Sequence, residues 1–307
     1  MGDGGAVISA RGLVKRFDDF TAVDGIDVEI AAGESFGFLG PNGAGKSSTM
    51  RMIGCVSPPS GGDLRIFGLD PVRDGVRIRS RLGVCPQDDS LDHELTAMQN
   101  ITTYARYFGV SRAHARKRCA ELLDWVQLGE RARSRVGDLS GGMRRRLAVA
   151  RSLVNDPDCV LLDEPTTGLD PQARHLLWER LFQLKRRGVT LVLTTHYMDE
   201  AEQLCDRIVI MDGGRIVAEG SPHNLIKEHV TRDVVELRYA GTPDDAVLAT
   251  LPGRVEKLGD RALLYADDGD AALAAAHRAG LELTSVFVRR STLEDVFLRL
   301  TGRTLVD

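Results

Sequence analysis

The sequence has 307 residues, 43% apolar and 27% charged, with 40 basic and 44 acidic side chains and a net charge of -4. That is globular composition at a length suited to two domains, without the basic excess that marks nucleic-acid binders. Cys55, Cys85, Cys119, Cys159 and Cys205 are widely spaced and contain no CxxC pair, which speaks against a disulfide framework or zinc site and for reduced thiols. The N-terminal stretch lacks the apolar core of a signal peptide, and no run approaches the ~18 apolar residues of a membrane span, so any membrane role is expected to pass through a partner.

In chain order, Ala6–Ser9 and the set Ile26, Val28, Ile30 alternate as strands do, with turn signals at Asp24-Gly25 and Ala32-Gly33. Ser35–Leu39 is a short apolar run feeding a glycine-rich loop, as a buried strand before a helix would. Residues 88–137 read as mostly helical, with Cys119, Leu122, Leu123 and Val126 at helical spacing. A further helix follows Ser140, with Met143, Leu147, Ala150 and Val154 on one face, and Asn155-Asp156-Pro157 stops it. Cys159–Leu162 predicts a buried strand. Asp170-Pro171 predicts an N-cap and first helical residue, and Gly188 a C-terminal stop. Val189–Thr195 is another apolar strand, and Ile208–Met211, Gly213-Gly214 and Ile216–Ala218 form a hairpin pattern. Beyond about residue 230 the character changes: Asp233–Tyr239, Ala262–Tyr265 and Leu283–Val288 are strand-like, and Ala271–Ala279 and Thr292–Leu300 helix-like. A small α+β domain is expected there, with a core drawn from Val234, Leu237, Leu263, Leu283, Val286, Val296 and Leu300.

The strongest chemical signal is Gly40-Pro41-Asn42-Gly43-Ala44-Gly45-Lys46-Ser47, which fits G-x-x-x-x-G-K-[ST] between a strand and a helix. Glycines let backbone N–H groups wrap a phosphate, and the helix adds its positive end. Lys46 is the charge for the β- and γ-phosphates, and Ser47 a ligand for Mg²⁺. Downstream, Val160-Leu161-Leu162-Asp163-Glu164 ends an apolar strand in two carboxylates. By itself this reads more readily as a solvated strand end. After a phosphate loop, Asp163 is the metal-side carboxylate and Glu164 the base that activates water. Ser140-Gly141-Gly142 opens a helix and offers a second anion-binding terminus. Arg144-Arg145-Arg146 reads as the charged side of an amphipathic helix, and Asp212-Gly213-Gly214 as a turn without chemistry.

Taken together these segments resemble the ATP-binding subunits of ABC transporters, over about residues 6–225. Leu139-Ser140-Gly141-Gly142-Met143 resembles the signature, Val84-Cys85-Pro86-Gln87 the Q-loop, Thr167-Gly168-Leu169-Asp170 the D-loop and Thr194-Thr195-His196 the H-loop. The resemblance implies an α/β fold: a P-loop NTPase core with an antiparallel β subdomain and a helical subdomain (about 88–155), spanning 1–229. A small C-terminal α+β domain follows at 230–307. It implies ATP and Mg²⁺ as cofactors. The implied nucleotide contacts are Phe17 for adenine, Gly40, Asn42, Gly43, Ala44, Gly45, Lys46, Ser47, Ser48 and Asp170, with Ser140, Gly141 and Gly142 acting on the nucleotide of a second copy in a head-to-tail dimer. Glu164, His196, Gln87 and Lys46 are the implied catalytic set, and Ser47, Gln87 and Asp163 the implied metal set. Met143, Ser48 and Phe17 depart from the commoner glutamine, threonine and tyrosine but keep the physics, and they resemble the daunorubicin-resistance type.

Asp170–Leu184 (DPQARHLLWERLFQL), Thr195–Arg207 (THYMDEAEQLCDR) and Ser291–Gly302 (STLEDVFLRLTG) are similar to the ATP-binding subunit of nodulation-factor (lipo-oligosaccharide) exporters. That resemblance implies export through a separate integral-membrane ABC-2-type permease. It implies a cytoplasmic protein, peripheral on the inner face of the plasma membrane, with no nucleic-acid partner. The alternative, a soluble ABC ATPase acting on ribosomes or DNA, would carry two ATPase units or long coiled coils. This chain has one unit and no long heptad run.

Overall fold

The computed structural model describes residues 5–239, 245–259 and 261–302. Contacts divide the chain into two compact units, the first ending at Gly220 and the second beginning at Ser221. The first opens with β1 (Ala6–Phe17) and β2 (Phe20–Ala31), both longer than the sequence signals. They pair antiparallel, with Phe17 opposite Phe20, and bury Ile8, Leu13, Val23, Ile26, Val28 and Ile30 on one face. The strand β3 (Ser35–Leu39) is buried at every position, as its unbroken apolar run demands. After it come α1 (Lys46–Ile53), β4 (Gly61–Ile66), α2 (Gly75–Arg79) and β5 (Leu82–Cys85). No periodicity announced β4, which completes a three-stranded sheet in the order β2-β1-β4.

Helices α3 (Ala97–Arg106), α4 (Arg112–Trp125) and α5 (Gly141–Ser152) then pack on one another. Thr96 caps α3 through a capping box with Gln99, and Ser111 and Ser140 cap the other two. The core sheet resumes with β6 (Cys159–Asp163), α6 (Pro171–Arg186), β7 (Thr190–Thr195), α7 (Met198–Leu204), β8 (Arg207–Asp212) and β9 (Arg215–Gly220). Its order is β5-β6-β7-β3-β8-β9, parallel except for the antiparallel β8–β9 hairpin. Because β3, β6 and β7 are parallel neighbours, their C-terminal ends meet at one edge of the sheet, where open α/β folds bind ligands.

The second unit starts with α8 (Pro222–His229), which packs against the last helix, α11 (Leu293–Thr301). The change of character in the sequence suggests a boundary after residue 229, downstream of this helix. Between them lie β10 (Asp233–Tyr239), α9 (Asp245–Leu248), β11 (Arg254–Leu258), β12 (Arg261–Ala266), α10 (Gly269–Arg278) and β13 (Leu283–Arg290). The strands form an antiparallel sheet in the order β11-β12-β10-β13. Its core holds Val235, Leu237, Leu264, Ala272 and Ala276. Val234, Leu263 and Val296 are also buried, whereas Leu283, Val286 and Leu300 of the expected core are only half-buried. On the sheet, Arg289 grips Asp295 with two hydrogen bonds of 2.7 and 2.9 Å and Glu236 with one of 3.0 Å. The Tyr265 hydroxyl donates to Asp295 at 3.1 Å. Burial alone would raise the Asp295 carboxyl. The hydrogen bonds from Arg289 and the Thr292 N–H outweigh it, leaving Asp295 below the ordinary carboxylate range.

Candidate functional site

The loop between β3 and α1 needs its glycines. A Cβ on Gly40 would sit 2.3 Å from the Met211 carbonyl oxygen, and one on Gly45 would sit 2.4 Å from that of Ala22. Gly45 also has φ +99 where it caps α1, a backbone that only glycine adopts freely. The loop thus comes close to its neighbours and presents the start of α1 to the mouth of a cleft. Lys46 folds back over it, its ammonium donating to the carbonyls of Gly40 (2.5 Å) and Pro41 (3.0 Å). The cleft is lined by Phe20, Ala22, residues 41–48, Gln87 and Glu164. Asn42, Gly43, Ala44, Gly45, Lys46, Ser47 and Ser48 are thereby brought together.

The carboxylates arrive from β6. Asp163, at its last position, accepts from Ser47 Oγ at 3.2 Å and from the buried hydroxyl of Thr194, its neighbour in the β6–β7 register. Glu164 follows with φ 49, in the left-handed region that a non-glycine residue occupies at a cost of ~1–3 kcal/mol. Its N–H donates to Thr194 Oγ1 at 3.0 Å. Its carboxylate accepts from Gln87 Nε2 at 3.3 Å and from Thr167 Oγ1 at 3.1 Å, both on Oε2. The other oxygen, Oε1, lies 3.3 Å from His196 Nδ1 but forms no hydrogen bond with it. The His196 ring rests on Tyr197 with centroids 4.1 Å apart. Glu164, Gln87 and His196 therefore form one cluster beside the phosphate loop. A carboxylate, an amide and an imidazole face the place where α1 and Lys46 favour a phosphate.

Other expected contacts stand elsewhere in this unit. Phe17, 45% exposed, carries the Lys15 ammonium 4.9 Å above its ring, whereas its cross-strand partner Phe20, 61% exposed, is the aromatic residue that lines the cleft. Ser140, Gly141 and Gly142 open α5 outside the cleft lining, and Ser140 Oγ accepts from the Met143 N–H at 3.3 Å. Asp170 caps α6 by accepting from the Ala173 N–H at 2.8 Å, and lines a second cleft with Gln127, Arg146 and His175.

The reading of Arg144-Arg145-Arg146 as a charged helix side is corrected at its middle residue. Arg145 is 5% exposed and donates to five backbone carbonyls. These are Pro86 at 2.5 Å, Gln87 at 3.0 Å, Asp163, Glu164 at 2.9 Å and Pro165 at 3.1 Å. Arg146, half-buried, donates to the Val126 carbonyl at 2.8 Å. A signal for Arg145 did exist, because residues three and four ahead of it, Ala148 and Val149, are buried and share its face. Thr194 and Thr167 were likewise given no role by the sequence. The β6–β7 register brings the first to Asp163, and the turn after β6 brings the second to Glu164.

Residues 23–167 match the ABC transporter family model, and residues 241–302 match that of the C-terminal domain of the nodulation factor export protein NodI. The Nod factor export ATP-binding protein I of Ralstonia nicotianae is 47% identical over 307 residues, 98% of this chain and 95% of that protein. The chain belongs to the ATP-binding subunits of ABC transporters. A Rhizobium protein of the same description is 47% identical over 300 residues, covering 96% of this chain and 97% of its own. Among solved structures, the cassette MJ0796, a dimer in a post-hydrolysis state bound to ADP and Pi, aligns with TM-score 0.65 and 28% identity. The match covers 70% of this chain and 98% of that one. The cbiO1 subunit from Clostridium perfringens, part of an ABC transporter complex, aligns at 0.66 with 28% identity over 73% of this chain and 92% of its own. As a family member this chain is the ATP-binding and ATP-hydrolysing subunit of an ABC exporter. Among the described residues no helix is long and apolar enough to cross a membrane.

Proposed function

We propose that this subunit hydrolyses MgATP with Glu164 as general base and drives export through a separate ABC-2-type permease on the inner face of the plasma membrane. One observation carries the assignment of roles: Ser47, Asp163, Gln87, Glu164 and His196, drawn from four separate segments, converge at the mouth of the phosphate loop. Hydroxyl and carboxylate oxygens 3.2 Å apart are a donor set that fits Mg²⁺, which favours a few hard oxygens alongside phosphates. Ser47 and Asp163 would hold the ion, with Gln87 beside them, and the ion would neutralise phosphate charge. Lys46 binds the β- and γ-phosphates, Glu164 takes the proton of the attacking water, and His196 hydrogen-bonds the γ-phosphate. The end of the β1–β2 hairpin, with Phe17 and Phe20, supplies the adenine platform.

The α5 terminus at Ser140–Gly142 and the nearby Asp170 lie outside the lining of the phosphate-loop cleft. We assign them to the nucleotide of a second copy in a head-to-tail dimer, a reading supported by the dimeric state of the MJ0796 cassette. The relatives' description as Nod factor export proteins makes a lipo-oligosaccharide the first cargo to test. The second unit we assign to steadying the dimer or its permease contact. Phosphate release with and without Mg²⁺, together with co-purification of the chain with a polytopic permease, tests the proposal. Full turnover in excess chelator would remove the metal from it. ATPase activity with no permease recovered in any membrane extract would remove export.

A further inference from the structure

We propose that Arg145 is a positioning residue for hydrolysis, a single guanidinium on the signature helix that sets the distance between the Gln87 amide and the Glu164 carboxylate. The proposal rests on the reading of Glu164 as base.

Successive carbonyls of an extended strand point to opposite sides, so three consecutive carbonyls cannot meet one side chain unless the chain breaks from extension. Asp163, Glu164 and Pro165 do present all three to Arg145, through Nη2 and Nε. The break that allows it is the left-handed backbone of Glu164, φ 49. No glycine relieves that conformation, so contacts from outside the turn must hold it, and Arg145 supplies three of them. Its remaining nitrogen, Nη1, takes the carbonyls of Pro86 and Gln87. Gln87 and Glu164 are also the two residues whose side chains touch, at 3.3 Å. One rigid, planar fork thus grips the main chain on both sides of the contact between amide and base. A lysine at this position would bring one ammonium and three donors in place of five fixed ones.

Two further facts separate this from simple filling of the core. Among the described residues no carboxylate lies within ion-pair distance of Arg145 (its acceptors are backbone carbonyls). Its place is therefore set by main-chain geometry and not by a charge partner. It also rides on α5, the helix that Ser140 begins. Movement of that helix would be transmitted to Gln87 and Glu164 together.

The test is a double-mutant cycle in the full chain between Arg145→Lys and Gln87→Ala, with ATP turnover and nucleotide affinity measured for each variant. Arg145→Lys is expected to lower kcat about 10- to 100-fold while ATP affinity stays within about twofold. Once the spacing is lost, removing the Gln87 amide has little left to remove, so the double variant should resemble Arg145→Lys alone. Effects that multiply, or a folded Arg145→Lys chain with unchanged kcat, would overturn the proposal. Should Arg145→Lys fold poorly, Arg145→Ala with added free guanidinium serves instead. Recovery of kcat on titration supports positioning, and recovery of melting temperature alone refutes it. If Glu164→Gln itself leaves turnover intact, the failure lies with the assignment of the base and is recognised as such.

Discussion

Replacing Glu164 with glutamine isolates the chemistry of the proposed base, because the site can accept the amide almost without rearrangement. The two donors that reach the carboxylate, Gln87 Nε2 and Thr167 Oγ1, both end on Oε2. An amide oxygen in that position keeps both hydrogen bonds. The amide nitrogen then takes the place of Oε1, 3.3 Å from His196 Nδ1, where the parent makes no hydrogen bond and none is lost. Stability should therefore change by less than about 0.5 kcal/mol, in the range of a substitution that leaves no buried group unpaired. What disappears is proton abstraction, which contributes ~10²–10⁴ in rate, or about 2.7–5.5 kcal/mol of barrier. Phosphate release at saturating MgATP is expected to fall by that factor, with ATP affinity preserved and, under the dimer reading, an ATP-bound dimer accumulating on size-exclusion chromatography. Turnover within tenfold of the parent, in a chain with unchanged melting temperature, would take the role of base from Glu164.

The other predictions probe the rest of the molecule. Ser140→Arg is expected to leave ATP binding by each monomer intact while blocking ATP-dependent dimerisation, read by light scattering. Mixed with Lys46→Ala it should restore one unlesioned composite site and partial turnover. Because α8 belongs to the second unit, the informative truncation ends at Gly220. That chain should keep ATP affinity within about twofold and lose stable dimerisation, export or both, and unchanged export would make the second unit dispensable. Asp295→Asn strips Arg289 of its buried partner and should cost about 3 kcal/mol in the thermal unfolding of the full chain. Since the folded-state carboxyl is held below its ordinary value, its stabilisation is complete above ~3.9 and lost as the pH falls further. The gap between parent and variant should then close in acid, and a gap that widens there would contradict the sign.

How much of this was visible beforehand depended on whether the determining contacts were local. The phosphate loop was legible because everything it requires lies in eight contiguous residues: glycines for the backbone, a lysine for charge and a serine hydroxyl at the start of α1. The same holds for α6, whose start is written in Asp170-Pro171, and for the β8–β9 hairpin around Gly213-Gly214. By contrast β11, Arg254–Leu258, alternates weakly and carries charges. Among the described residues it is an edge strand paired with β12 alone, so its identity comes from pairing and not from a buried face. The Gln87–Glu164 contact spans a sequence distance that no motif measures, and only the family resemblance brought those residues into one list of candidates.

Arg145 and Glu164 show where a residue-by-residue reading stops for a physical reason. Scoring by residue type counts an arginine as polar and places it outward, yet its face also carries Ala148 and Val149, and α5 is buried on nearly every side from Leu147 to Ser152, leaving no single solvent face to receive it. The group that draws Arg145 inward is a set of carbonyls, which every residue possesses and no sequence displays. Those carbonyls converge only because Glu164 adopts a left-handed backbone, and nothing in its side chain calls for that conformation. The arginine and the bend each supply what the other lacks: acceptors for a buried cation, and a clamp for a strained turn. The strain falls on the residue whose carboxylate faces the phosphate loop, where backbone held in place by tertiary contacts can aim that carboxylate more finely than a relaxed strand end would.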